Sequence, residues 1–230
     1  MIKRELYMNR IRPFIGGELI KVMTGIRRSG KSVMLELIKE ELAEAGVAPS
    51  QMISINFEDM RYSHLQTATA LHDEIIKRAE GIEGKAYLFF DEIQEVEGWE
   101  KCVNSLRVAL DCDIYITGSN AKLLSGELAT YIGGRYVEFV IYPFSFAEFL
   151  ELYHTIAPSD SIQQCFQKYL LAGGMPYLAN LRYEEEPSRQ YLTDLFNSVQ
   201  LKDIVKRNKI RDIDLLERII AYMTANVGTV

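Results

Sequence analysis

Gly25-Ile26-Arg27-Arg28-Ser29-Gly30-Lys31-Ser32 has the spacing GxxxxGK[ST], and its surroundings give that spacing meaning. The apolar run Leu19-Ile20-Lys21-Val22-Met23 enters it as a strand. A helical pattern leaves it, with Met34, Leu35, Ile38, Leu42 and Ala45 on one face and Gly46 as the stop. Strand, glycine-rich turn, helix is the arrangement in which backbone N–H groups converge on an anion at a helix N-terminus. Lys31 then reaches a terminal phosphate and the Ser32 hydroxyl is placed to ligate Mg²⁺. The plain alternative is a glycine-rich turn with a surface lysine.

Downstream, strands and helices keep alternating. Met52-Ile53-Ser54-Ile55-Asn56-Phe57 reads as a strand, Leu71 to Ala79 as a helix, and Tyr87-Leu88-Phe89-Phe90 as a strand apolar at every position. A continuous apolar strand suits a parallel sheet covered on both faces. Trp99 to Leu110 follows as a helix, Ile114-Tyr115-Ile116 as a fourth strand and Val137 to Ile141 as a fifth. This order predicts an α/β, doubly wound parallel sheet. Beyond Tyr142-Pro143 the pattern becomes helical, over Phe146 to Tyr153, Ile162 to Leu171, Tyr191 to Lys206 and Ile213 to Met223. The domain boundary is therefore placed near 143, with the aromatics Phe139, Tyr142, Phe144, Phe146 and Phe149 as core between the two parts.

Ligands of open α/β sheets lie beyond the carboxyl ends of the strands. Asp91-Glu92 ends the third strand there, giving Asp91 as the metal acid and Glu92 as a general base for water. Thr117-Gly118-Ser119-Asn120 ends the fourth, and Asn120 or Ser119 is placed to orient that water. Arg135, in Gly133-Gly134-Arg135, is a candidate to stabilise phosphoryl charge from within the chain or from a second copy; the alternative is a structural arginine. Arg27 and Arg28 touch phosphate or face solvent, a choice the sequence leaves open. Glu58 and Asp59 read as a solvated loop, with approach to the edge of the same site as the alternative. Lys202, Lys206 and Lys209 share one helical face, read as solvated, with phosphate or an acidic partner as the alternative.

Composition removes other classes. The 230 residues are 48% hydrophobic and 25% charged, which is globular. The net charge of −6 argues against nonspecific coating of nucleic acid. The three cysteines include no CxxC, and His64, His72 and His154 form no ligand cluster, so neither a disulfide framework nor a zinc site is expected. With no signal peptide and no apolar run of membrane length, the chain reads as cytoplasmic, with no membrane partner.

Taken together, these motifs resemble a prokaryotic group within the AAA+ ATPases. The likeness also rests on Asn56-Phe57-Glu58-Asp59, Pro143-Phe144-Ser145-Phe146-Ala147-Glu148-Phe149 and Gly173-Gly174-Met175-Pro176. It implies a P-loop NTPase core with a five-stranded parallel sheet of order 5-1-4-3-2, a small all-helical lid and the start of a winged helix. The expected division is core 1–143 with a helical segment at 1–17, lid 144–207 and winged-helix region 208–230. In this reading the chain stops within or just before the winged helix, as a fragment would. The resemblance implies ATP as ligand, bound by Gly25, Ile26, Arg27, Arg28, Ser29, Gly30, Lys31, Ser32 and Val33, with Mg²⁺ on Ser32 and Asp91. It implies catalysis through Lys31, Glu92, Asn120 as first sensor, and Arg135 as a family arginine.

The expected function is ATP hydrolysis driving conformational change in a partner or attached domain, with a homo-oligomer and an unidentified protein or DNA client among the partners. The alternative is a nucleotide-dependent switch that hydrolyses little. A small-molecule kinase is disfavoured by Glu92 directly after Asp91, and a GTPase by the absence of an [NT]KxD segment.

Overall fold

A computed structural model of the chain describes residues 2–118, 132–199, 205, 210 and 212–227. Its sheet is built from β1 (Ile20–Thr24), β2 (Met52–Asn56), β3 (Ala86–Asp91), β4 (Cys112–Thr117) and β5 (Tyr136–Val140). The strands run in the order β2-β3-β4-β1-β5, all parallel, which is the expected 5-1-4-3-2 order seen from the other edge. The helices are α1 (Glu5–Ile11), α2 (Lys31–Glu44), α3 (Ala68–Ala79), α4 (Trp99–Ala109), α5 (Phe146–Tyr153), α6 (Ile162–Ala172), α7 (Glu185–Val199) and α8 (Ile213–Ala225).

Position in the sheet explains the sequence pattern of each strand. β1 lies between β4 and β5 and is buried at all five positions, whereas β2 lies at an edge and alternates buried with exposed. One face carries Ile20, Val22, Leu88, Phe90, Ile114 and Ile116 against α3 and α4. The other carries Met23, Phe89, Tyr115 and Phe139 against α1 and α2. On that second face Phe89 stacks on Tyr115, with ring centroids 4.9 Å apart. Burial on both faces is why these strands read as continuous apolar runs rather than alternating ones.

Helix starts are fixed locally. The Thr67 hydroxyl accepts the Ala70 N–H at the head of α3. Ser145 and Glu148 form a reciprocal capping box at α5, and Ser161 and Gln164 do so at α6. α7 begins six residues before the expected Tyr191. Pro187 does not prevent this, because first-turn residues have no intrahelical acceptor for their N–H.

The chain divides into two compact units, Met1–Asn180 and Leu181–Val230. This is a different division from a boundary at 143. The physical cause is in the first unit: Arg4 donates to Glu148 of α5 from Nε at 2.8 Å and from Nη2 at 3.3 Å. The Phe144 N–H also donates to Gly174 O at 2.7 Å, and a Cβ on Gly174 would lie 2.1 Å from Phe144 O. α5, α6 and the turn after them are thus held with the sheet. Phe139 and Phe149 are core as expected, but Tyr142 is not: it is 64% exposed, and its backbone makes the contacts instead. In the second unit, α7 and α8 border a groove of about 590 Å³ lined by Phe196, Ile220 and Ala221 among others. The described residues of 208–230 show α8 and no winged helix. The basic run at Lys202, Lys206 and Lys209 lies outside the described residues.

Candidate functional site

The parallel sheet puts the ends of β1, β2, β3 and β4 on one edge, and the loop 25–30 crosses that edge before α2. Gly25 is required where β1 gives way to the loop. Its φ is +145°, and a Cβ there would sit 2.2 Å from Ile141 O and 3.0 Å from Ser29 Oγ. Ser29 is itself fully buried, and its hydroxyl has no hydrogen-bond partner among the described residues.

Lys31, in the first turn of α2, folds back over the loop. Its Nζ donates to Gly25 O and Ile26 O, each at 3.2 Å, and lies 4.0 Å from Glu92 Oε1. The lysine is 5% exposed, so its charge is held in a shielded position by carbonyls and one carboxylate.

Asp91 and Glu92 are set by different means. Asp91 ends β3 and is buried, and both its oxygens are engaged: Thr117 Oγ1 donates to Oδ1 and Asn56 Nδ2 to Oδ2 at 3.2 Å. Glu92 leaves the strand in a left-handed conformation, φ 55° and ψ 46°. For a residue with a Cβ this is sparsely populated and costs about 1–2 kcal/mol. The conformation is held by the Glu92 N–H donating to Thr117 Oγ1 at 3.0 Å and by the turn 93–95, where Glu95 N–H donates to Glu92 O at 3.1 Å. Thr117 thus ties the two acids together from the neighbouring strand.

Lys31 and Glu92 open onto a cleft of about 800 Å³ within the first unit, with Asp91 buried behind them. Its lining contains Arg27, Arg28, Gly30, Lys31, Ser32 and Val33 of the loop and α2, with Glu58, Glu92, Pro176, Tyr177 and Asn180. Both loop arginines therefore line the cleft, as does Glu58, which is exposed there at the edge of the site. Pro176, Tyr177 and Asn180 bring the turn after Gly174 to the cleft's far wall. Among the described residues no three His, Cys, Asp or Glu side chains gather as a metal cage. Burial pushes the Cys102 thiol up to about 12, so it is no nucleophile at neutral pH.

Asn120 and Ser119 lie outside the described residues. Arg135 is a correction within one chain. It precedes β5, and its carbonyl accepts the N–H of Ile20, the first residue of β1, so it stands at the amino edge of the sheet. The length of β1, five residues or about 16 Å, separates it from the phosphate loop. Its guanidinium donates instead to Asn104 Oδ1 at 2.9 Å.

The sequence reading missed Arg4, which is 2% exposed. Its Nη1 donates to Ser29 O at 3.0 Å and its Nη2 to Tyr142 O at 2.9 Å, while Glu148 takes its charge. The phosphate loop, the end of β5 and α5 are thereby fastened to one side chain. No local pattern announces this. Thr117 and Asn56 were legible in principle, as polar residues at the carboxyl ends of strands that flank β3.

Comparison with known proteins agrees with this fold. A family model described as an AAA domain matches residues 18–150, and the chain belongs to that family. A domain of unknown function matches residues 163–230. An uncharacterised protein of Haemophilus influenzae is 40% identical over 99% of this chain and 56% of its own length. An uncharacterised protein of Methanocaldococcus jannaschii is 33% identical over 90% of this chain and 47% of its own. The chain thus spans about half the length of the curated relatives it matches. Among solved structures, a RuvB variant of Thermotoga maritima aligns with a TM-score of 0.52 at 14% identity, covering 92% of this chain and 72% of that one. The fold is that of an AAA+ P-loop ATPase, and the domain is of the nucleotide-binding, ATPase type. Among the described residues no helix is long and apolar enough to cross a membrane.

Proposed function

We propose that this chain binds ATP across the loop 25–33 and hydrolyses it, with Glu92 as the base. The observation that carries this reading is the placement of Glu92 at the carboxyl end of β3, 4.0 Å from Lys31 and locked to Asp91 through Thr117. Lys31 exchanges its loop carbonyls and Glu92 for the terminal phosphates. A water held by Glu92 attacks the γ-phosphorus. The new P–O bond forms as the bond to the β-phosphate oxygen breaks, the electron pair leaves with ADP, and the water's proton passes to Glu92.

The donor set fits Mg²⁺. That ion keeps most of its waters and takes one or two protein oxygens beside substrate phosphates, so it needs no cage. Ser32 and Asp91 would hold it, and Asn56 and Thr117 keep the Asp91 carboxylate oriented toward such a role. When bound, the ion neutralises charge on the phosphate oxygens. Hydrolysis would drive conformational change in a partner or an attached domain.

One observation favours slow turnover by a single chain, as in a nucleotide-dependent switch. Among the described residues, the arginines lining the cleft are Arg27 and Arg28 of the loop itself, while Arg135 stands at the opposite edge. An arginine supplied by a second copy would make specific activity rise with protein concentration.

Phosphate release from Mg²⁺-ATP, followed across protein concentrations, tests both. Glu92→Gln should retain nucleotide and lose roughly 100-fold or more of turnover. Wild-type rates in that variant would end Glu92's role as base. Bound ATP without turnover in the wild type would favour the switch, or mean that residues beyond 230 are required.

A further inference from the structure

We infer that Gln94 is a positioning residue for the base, holding the Glu92 carboxylate from the side away from Lys31. The inference rests on the reading of Glu92 as base, and three features of the turn after β3 carry it.

First, the backbone of Glu92 is fixed but its side chain is not fixed by the same contacts. Thr117 and Glu95 hold the main chain, and Ile93 is fully buried in the core beneath the turn. The carboxylate itself sits beyond rotatable side-chain bonds, at the cleft. Gln94 Nε2 donates to Glu92 Oε2, while Lys31 faces Glu92 Oε1. The two oxygens are therefore differentiated: one is gripped and the other points toward the phosphate loop.

Second, the two grips differ in permanence. Lys31 must leave Glu92 when it engages phosphate. Gln94 does not line the cleft and can keep its hold through the cycle. It is also a neutral donor. A cation fixed on Glu92 would stabilise the carboxylate and weaken it as a base, whereas an amide orients it at much smaller cost to its basicity.

Third, the Gln94 amide is oriented at its own expense. Its Oε1 is buried and has no hydrogen-bond partner among the described residues. Turning the amide over would set that oxygen against a carboxylate. The observed orientation keeps the donor on Glu92 and leaves the acceptor unsatisfied, a compromise characteristic of functional sites.

The test compares Gln94→Leu, Gln94→Asn and Glu92→Gln, alone and with Gln94→Leu added to Glu92→Gln. For Gln94→Leu, kcat should fall roughly 10- to 100-fold, part of the contribution of a well-placed base. KM for ATP and affinity for a fluorescent ATP analogue should stay within about threefold, since nothing that grips phosphate is altered. Gln94→Leu should add nothing to Glu92→Gln, because it acts only through that carboxylate. Gln94→Asn, with a shorter amide, should recover part of the loss. A second readout needs no turnover. In the nucleotide-free chain, the side-chain amide resonance of Gln94 should be shifted downfield by its charged acceptor and should move upfield in Glu92→Gln. An unchanged kcat in Gln94→Leu, or an amide signal indifferent to Glu92→Gln, overturns the inference while leaving Glu92 as base. A drop in kcat that adds fully to Glu92→Gln also overturns it, as a structural effect. Full turnover in Glu92→Gln overturns the base reading instead.

Discussion

Lys21 and Lys31 lie at the two ends of the same strand-and-loop unit, and each faces a carboxylate. At the amino end, Lys21 and Asp113 are both fully buried and in direct contact. Asp113 also accepts the Gly16 N–H at 2.6 Å and the Tyr115 hydroxyl at 2.7 Å, and Lys21 gives a further bond to Gly17 O at 3.1 Å. At the carboxyl end, Lys31 stands 4.0 Å from Glu92, beyond hydrogen-bond length, and holds two carbonyls at 3.2 Å. The first pair is saturated and fastens the segment before β1 to the sheet. The second is slack, because its lysine has somewhere else to go. A buried charge with every partner in place is structural; a buried charge with replaceable partners is poised for a ligand.

Breaking each pair should separate stability from binding. Lys21→Met leaves Asp113 charged and buried, and should cost about 3–5 kcal/mol of folding stability by denaturant titration. Adding Asp113→Leu to it should return most of that loss. Nucleotide affinity of the folded protein should be unchanged throughout. If instead Lys21→Met weakens nucleotide binding at constant stability, the contrast drawn between the two ends is wrong.

Lys31→Ala should do the reverse. Affinity for ATP, measured by calorimetry, should drop by on the order of 100-fold, while the melting temperature changes by only a few degrees. Undiminished binding would remove the loop 25–33 from the nucleotide site.

A third pair, Arg4 with Glu148, sharpens the comparison at smaller amplitude. Burial pushes the Glu148 carboxyl up, but hydrogen bonds from Arg4 and from the Ser145 N–H outweigh it, so the folded chain holds it below the ordinary 4.5. On acidification the unfolded chain takes that proton first. The pair's contribution is therefore present above about pH 4.5 and fades as pH falls through the folded value. Glu148→Gln should flatten the acid limb of stability against pH, and an acid limb identical to wild type would deny the pair this role.

What was legible in the sequence was local. The phosphate loop needs eight consecutive residues, and Asp91-Glu92 needs only the strand that precedes it, so both could be placed before any fold was known. Strand order followed from family likeness, not from periodicity. What escaped was assembled across the chain: Thr117 reaches Asp91 from 26 residues away, Asn56 from 35, and Arg4 reaches Glu148 from 144. Arg135 is a different case. Its residue type suits a phosphoryl group, but it stands just before β5, and in a parallel sheet the beginnings of strands face away from the ends where the same chain's ligands lie; a role toward a second copy is untouched by this.

The bonds of Arg4 also set a schedule for synthesis. Glu148 leaves the ribosome 144 residues after Arg4, which at about 5–20 residues per second is a wait of roughly 7–30 s. Until then the arginine that braces Ser29 lacks its counter-charge. The nascent chain can build most of its strands in that interval, but the clamp across the phosphate loop closes only after α5 has emerged. If the loop 25–33 binds nucleotide as proposed, nucleotide selects chains that have finished folding rather than rescuing early intermediates.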